Sequence, residues 1–463
     1  MTSQNSLTME VVDYIQGMTY KDIPGEVREE LYRCLVDGFA VMLAGSRAEC
    51  GCIIQRYVRE GGVQGKSKVV GTDIATSASL AALANGVAGH ADDFDDTQLA
   101  QTPDRIYGLL THPTVPALAS TLGVGQELGV TGRDLLTAFC CGYEVECKLA
   151  EAMNPDHYIK GFHSTATMGV FGSVAGAAKL YGLSAEQTRF AIGIAASKSA
   201  GLRVNFGTMT KPYHAGAAAE NGIVAAQLAR LGYESDPNAL DGQWGHFQVM
   251  GGGVDADRLL GHLGNPYTLS WPGVSVKPYP CGSLSHPSMD TLLDLILEHD
   301  VKPEQVEEVR LGAGNNILNP LRYEEPQNEL EAKFSLQFCL GILVLRRRAG
   351  IQEFTDEVVQ SAEVKEMMRR VKTYHSPEVE ARGADRIRSL VEIRLKDGRV
   401  MSAEAEISRG TPDRPMGRDG MATKFNDCAQ GTLSEDRIKK ALDTIYRVEE
   451  LDSVSELMEA MVG

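Results

Sequence analysis

The run His90-Ala91-Asp92-Asp93-Phe94-Asp95-Asp96-Thr97 crowds four carboxylates into five positions. His90, Asp93 and Thr97 are spaced i, i+3 and i+7 and share one face if the segment is helical. Carboxylates this close repel one another unless some meet cations, a metal or solvent. A solvated acidic helix end meets that need with no chemistry at all. The sharper alternative is a magnesium–diphosphate site of the Asp-Asp-x-x-Asp kind. Such sites draw a second acidic motif from a facing helix, and the sequence offers none.

A second pattern pairs a basic residue with proline: Lys211-Pro212, His112-Pro113 and His286-Pro287. Each proline is suited to the first position of a helix. His163, followed by Ser164-Thr165, stands beside an N-cap signal in the same way. Helix N-termini carry free N–H donors and the positive end of the dipole, so they favour anions. If these starts converge, they build a pocket for a molecule with several carboxylates. The third pattern is the glycine-punctuated stretch from Gly201 to Gly216. In it Arg203 has the fork for a bidentate carboxylate contact or for a surface salt bridge. His214, one turn after Lys211, is placed to orient the loop by a hydrogen bond.

Other chemistries find little support. Nine cysteines at these spacings match neither zinc pairs nor iron–sulfur runs and read as reduced, buried thiols. No glycine-rich nucleotide fingerprint or Walker sequence occurs. With 45 Lys+Arg against 62 Asp+Glu the net charge is −17, the wrong sign for nucleic acid or an anionic membrane. The polar start and the lack of a long apolar run point to a cytoplasmic protein without a membrane span.

The elements that must carry these residues read as helix after helix up to about residue 273. Apolar residues recur at helical spacing over 24–45 and 47–60. Thr76 or Ser77, Thr131, and Ser184 with Gln187 supply N-cap signals for three further helices. Small residues are dense in two segments: Gly169, Gly172, Gly176 and Ala177, then Ala215, Gly216, Ala218 and Ala219. Such faces let helices approach closely in a buried bundle. After 273 the pattern turns α+β, with a strand from Val306, a hairpin of 389–395 and 400–407 around Lys-Asp-Gly, and helices over 287–299 and 331–348. Ser434 to Val462 returns to a helical pattern. The expected organisation is a helical domain over 1–273, an α+β lid over 274–409, and a segment over 410–463 that packs back on the helical domain.

At its polar blocks the chain resembles the MmgE/PrpD family, which includes 2-methylcitrate dehydratases, cis-aconitate decarboxylases and iminodisuccinate epimerases. The blocks are Asn85-Gly86…His90-Ala-Asp-Asp93-Phe-Asp-Asp-Thr97, Thr111-His112-Pro113, Gly161-Phe-His163, Met209-Thr-Lys211-Pro-Tyr-His214-Ala-Gly216 and Lys277-Pro-Tyr-Pro280. The resemblance runs from about residue 8 to 460. It implies a mainly α fold with a smaller α+β lid, a homodimer, and no metal or organic cofactor. It also implies an active-site cleft lined by Asp93, Thr97, His112, His163, Lys211 and Lys277. Two positions depart from the decarboxylase branch: Gly282 stands where that branch has a catalytic histidine, and the loop from Gln98 to Tyr107 is longer. Ser283 stands where many bacterial relatives have arginine.

The chemistry implied is removal or return of a proton on a carbon beside a carboxylate. Lys211, Lys277 and the helix starts are suited to hold the charge that develops. His163 or Asp93 is the candidate base and His112 the candidate acid. His90, Thr97, Arg203, His214 and His286 complete the substrate contacts. The leading expectation is a 2-methylcitrate dehydratase-like hydro-lyase acting on a small di- or tricarboxylate. A dicarboxylate epimerase comes second. Decarboxylation of cis-aconitate and non-catalytic carboxylate binding rank below both.

Overall fold

A computed structural model describes residues 6–100 and 110–462, and the chain within it separates into two compact units. The first takes in the chain up to Ala91, Leu110–Val274 and Arg418 onward; the second takes in Asp92–Leu109 and Ser275–Gly417. The chain thus leaves the first unit directly after His90 and its neighbour, rather than once near residue 273. Much of the expected longer loop, residues 101–109, lies outside the described residues.

In the first unit the helices that position polar side chains are α1 (Gly25–Gly45), α2 (Ala78–His90), α3 (Thr114–Leu128), α4 (Gly132–Ala152), α5 (Ser164–Tyr181) and α6 (Thr210–Arg230). Their starts follow the sequence signals. The Ser77 hydroxyl accepts from Leu80 N–H ahead of α2, and Thr131 forms a capping box with Asp134 ahead of α4. Small residues then set how near the helices come. A Cβ on Gly86 of α2 would lie 2.6 Å from the Cα of Gly216 in α6, and one on Gly142 of α4 would lie 2.5 Å from the Gly172 carbonyl in α5. These crossings exist because both partners lack a side chain.

The C-terminal segment joins this bundle through helix Arg418–Ala429, which packs on α1. Lys424 of that helix pairs with Asp37 of α1 at 2.5 Å, and both side chains are buried. A second buried pair, Lys148 and Glu144 of α4, organises the chain beyond it: Glu144 accepts from the N–H groups of Gly264 and Thr268, and Lys148 donates to the Pro266 carbonyl.

The second unit is built on four strands, β1 (Val306–Ala313), β2 (Val371–His375), β3 (Ser389–Leu395) and β4 (Val400–Ala405), in the order β2-β1-β3-β4. β1 runs parallel to β2 and antiparallel to β3, and β3–β4 is the expected hairpin. Its turn closes through Gly398 at φ +87°, a conformation that the Lys-Asp-Gly signal anticipates. β3 alternates buried and half-buried residues along its length, the mark of one covered face. Helices α7 (His286–Glu298) and α8 (Leu336–Arg346) pack on this sheet. The helix expected over 331–348 is broken at Lys333–Ser335, because the Ser335 hydroxyl caps α8 by accepting from Phe338 N–H.

Breaking the Lys424–Asp37 pair leaves one buried charge without its partner. Lys424→Met should therefore destabilise the protein by about 3–5 kcal/mol, and adding Asp37→Leu should restore most of that loss. Urea unfolding of the single and double variants checks this; equal losses in both would show that the charges act independently.

Candidate active site

Five residues singled out by type and spacing meet in the first unit. His90 is the last residue of α2. His112 precedes α3, and its backbone N–H donates to Thr165 Oγ1 at 3.2 Å. His163 is itself the N-cap residue of α5, tied by its N–H to the Gly201 carbonyl at 3.0 Å. Lys211 and His214 lie one turn apart at the start of α6. The prolines are placed differently from expectation: Pro113 is the N-cap of α3 and Pro212 the third residue of α6. The Thr208 hydroxyl accepts the Thr210 N–H and starts α6 before the proline. Only Pro287, in α7, takes one of the first two helical positions among these three.

The rings form one cluster. His90 meets His112 edge to face at 4.7 Å between centroids and stacks with His163 at 5.7 Å. His163 and His214 face each other ring nitrogen to ring nitrogen, Nδ1 to Nδ1 at 2.9 Å. Lys211 Nζ lies 2.9 Å from His90 Nε2 and 5.4 Å from the Phe206 ring centroid, and Phe206 also stands edge-on to His163 at 5.0 Å.

Burial and the neighbouring basic groups keep two of these rings uncharged. Burial, then the Lys211 charge and the neighbouring imidazoles, keep His163 well below the ordinary histidine value. Burial with His90 and Lys211 pushes His214 down to about 4. Both are neutral imidazoles at neutral pH, ready to accept a proton. The ring nitrogens of His90, His112 and His163 lie within 4.8 Å of one another, a spacing three imidazoles can use for a transition metal. Lys211 works against that use, since it holds His90 Nε2 and brings positive charge to the same place.

The acidic run belongs to the second unit and behaves differently from both sequence readings. Asp93, Asp95 and Asp96 are buried rather than solvated. The run also lies beyond the end of α2, so His90, Asp93 and Thr97 do not share a helical face. Asp93 has φ +49°, a left-handed conformation that a non-glycine residue adopts at a cost. Lys277 Nζ holds it there, bonding both the Asp93 carbonyl at 2.7 Å and its carboxylate at 3.0 Å. Lys333 pairs with the Asp92 carboxylate at 3.1 Å and with Glu329 at 2.7 Å. Burial pushes the Lys333 ammonium down, but Asp92 and Glu329 outweigh it and hold the group above its ordinary value.

The remaining candidates fall to either side. Thr97 and His286 line one small cavity of about 10 Å³ in the second unit, together with Ser283, Ser408 and Thr411. That is room for one water. Thr97 Oγ1 is buried without a hydrogen-bond partner among the described residues, and His286 Nε2 lies 3.2 Å from the Cys281 carbonyl. Arg203 makes no salt bridge among the described residues. Its guanidinium lies 3.7 Å from the Tyr158 ring centroid and donates to the Tyr158 carbonyl at 2.8 Å. Sequence reasoning missed Phe206 and Lys333. Nothing in the run Gly201 to Gly207 marks the phenylalanine as facing a cation, whereas Glu329 four residues before Lys333 was a legible ion-pair signal.

The whole chain has recognisable relatives. The MmgE/PrpD N-terminal domain matches residues 9–259 and the MmgE/PrpD C-terminal domain residues 279–447. Cis-aconitate decarboxylase of Mus musculus is 27% identical, covering 99% of this chain and 94% of its own. The Homo sapiens enzyme of that name is also 27% identical, over 99% of this chain and 95% of its own. Cis-aconitate decarboxylase of Aspergillus terreus is 23% identical, over 99% and 96%. Matched by both domains over most of its length, and carrying its histidines and lysines in the family's blocks, the chain belongs to the MmgE/PrpD family.

Proposed function

We propose that the protein is a lyase of this family that abstracts a proton beside a carboxylate of a small di- or tricarboxylate, in the manner of a 2-methylcitrate dehydratase. The observation that carries this reading is the cluster of four imidazoles with Lys211, all basic and drawn from four helix ends. A polycarboxylate is the kind of ligand that such basic groups favour. Lys211 holds one carboxylate and gains strength as enediolate charge develops on it. His163 is the base, since its ring is neutral and its ring partner at Nδ1 is another imidazole, whereas Asp93 is committed to Lys277. His112 protonates the leaving hydroxyl. No step calls for a metal or an organic cofactor.

A second reading, decarboxylation of cis-aconitate, is favoured by the activity of the relatives. Gly282 weighs against it. A Cβ there would fall 2.7 Å from Leu321 Cδ2, so the decarboxylase histidine has no room without repacking. Epimerisation of a dicarboxylate uses the same base and acid, with the proton returned to the opposite face. The partners proposed are the polycarboxylate and a second copy of the chain. Exposed Ile159, Leu202, Val204 and Val249 on neighbouring segments of the first unit offer the second copy an apolar contact. Among the described residues no helix is long and apolar enough to cross a membrane. With the net charge of −17, the proposed setting is the cytoplasm, without nucleic acid or membrane as partner.

Incubation with a panel of di- and tricarboxylates in deuterated water, read by NMR, decides among the reactions. Dehydration of a hydroxytricarboxylate is expected, undiminished by exhaustive chelation. Deuterium exchange without net conversion would mean an epimerase, and carbon dioxide release a decarboxylase. Loss of turnover on chelation, restored by a divalent ion, would overturn the mechanism.

Lys211→Met keeps the stem and deletes the cation. A charge-assisted hydrogen bond contributes about 1.5–3 kcal/mol, so kcat/KM should fall by roughly one to two decades. Lys211 also depresses His163, so its removal raises the basicity of His163. The acid limb of kcat/KM, which marks protonation of the base, should then move to higher pH. Unchanged kcat/KM and an unmoved limb would show that the lysine serves the fold alone.

By light scattering the protein should have about twice the 50.1 kDa mass of the chain. A single-chain mass at micromolar concentration would remove the second copy from the proposal.

A further inference from the structure

The contact between His163 and His214 asks more than proximity explains. Two Nδ1 atoms at 2.9 Å in a buried setting require one proton between them: two bare nitrogens repel, and two N–H groups collide. Since burial and Lys211 keep both rings neutral, that single shared proton is the resting arrangement. Each ring then carries one proton, and the shared one fixes the state of the other nitrogen of His163. If His163 donates, its Nε2 is bare and basic. If His214 donates, Nε2 of His163 carries a hydrogen and cannot act as a base.

We propose that His214 is the positioning residue of the base: its Nδ1 accepts the Nδ1–H of His163, which leaves His163 Nε2 with its lone pair toward the substrate. This rests on His163 being the base and adds how the correct tautomer is chosen. In the step itself the lone pair of His163 Nε2 forms a bond to the substrate proton, and the electrons of the broken C–H bond pass into the enediolate. His163 becomes an imidazolium, still donating from Nδ1 to His214, and the reverse step returns the proton. His214 reacts with nothing. It does the work that a carboxylate does beside other catalytic histidines, without adding negative charge that would repel a polycarboxylate.

The surroundings hold the pair in register. His163 is fixed by its N-cap place on α5 and by the Gly201 carbonyl. A Cβ on Gly201 would lie 3.4 Å from His214 Cγ and 2.4 Å from the Ala166 methyl, so the absence of a side chain there lets the two rings approach. Among the described residues, the ionisable groups that act most on His163 are Lys211 and His214 from α6, His90 from α2 and His112 before α3. All are bases, so the imidazolium formed in the reaction has the acceptor nitrogen of His214 as its stabilising neighbour among them.

Imidazole nitrogen NMR of protein labelled with 15N-histidine tests this in the resting enzyme, with signals assigned from His163→Gln and His214→Phe. The expected wild-type spectrum has His163 protonated at Nδ1 and bare at Nε2. In His214→Phe that preference should be lost, whereas His214→Asn, which keeps an acceptor oxygen near the Nδ1 position, should retain it. A His163 protonated at Nε2 in the wild type, or one unchanged in His214→Phe, would overturn the proposal. Turnover of 2-methylcitrate gives the second readout. His214→Phe should lower kcat about 100-fold with KM within about threefold, and His214→Asn should recover to within about tenfold of wild type. His214 is only a lesser cause of the lowering of His163, and loss of its acceptor nitrogen, which leaves the imidazolium less stable, outweighs it, so the acid limb of the Phe variant should move to lower pH, opposite to Lys211→Met. Equal losses in both variants with a lowered Tm and an unmoved limb would make His214 structural and sink the idea. Undiminished turnover in His163→Gln would instead strike at the base itself, leaving the tautomer spectrum to judge the pair.

Discussion

The closest approach of α2 and α6 is the constraint on which the first unit's chemistry depends. Gly86 and Gly216 face each other there, and a Cβ on Gly216 would fall 2.5 Å from the Leu83 carbonyl. No side chain fits between the two backbones, so the helices touch as backbone on backbone. His90 stands one turn beyond Gly86 and Lys211 five residues before Gly216, at the ends of the two helices. Their 2.9 Å contact is a consequence of that crossing. Widening it by one methyl group would separate the histidine from the lysine before any other residue was touched.

Once those ends are together, electrostatics sets the rest. An interior that gathers imidazoles around one ammonium cannot charge them all, and burial adds to the reluctance. His163 and His214 stay neutral, and they find a partner in each other. The pairing of His163 with His214, and of His90 with Lys211, gives each of these four side chains a polar partner.

The second unit solves the opposite problem. Its acidic run is buried, and lysines are brought in to balance it: Lys277 to Asp93, and Lys333 to Asp92. The Lys277 contact also stabilises a left-handed turn at Asp93, so one ion pair fixes both a charge and a backbone conformation. Tyr279, two residues on, is anchored in turn. Its hydroxyl donates to Asp290, and Arg409 bonds both of them. The segment that follows Lys277 is thereby held to α7.

Much of this was legible in the residues themselves. Capping signals at Ser77, Thr131 and Ser184, the Lys-Asp-Gly hairpin, and the alternation from Ser389 to Leu395 are local, and local patterns survive into structure because neighbours in sequence supply most of the energy that decides them. The histidines and lysines were legible as candidates because basic residues at helix starts have few purely structural uses. Their partners were not. Nothing in the spacing of His90 and Lys211, 121 positions apart, or of His163 and His214, 51 apart, shows that they meet. Arg203 carried the type of a carboxylate ligand and was spent on Tyr158. The Asp92 to Asp96 run looked solvent-facing, yet Asp93, Asp95 and Asp96 are buried, and Asp92 and Asp93 pair with lysines far along the chain. Residue type fixes what a group can do, and the sequence by itself determined that much. Which proton or charge each group faces depends on helix crossings set by absent side chains, and only the tertiary structure decides those.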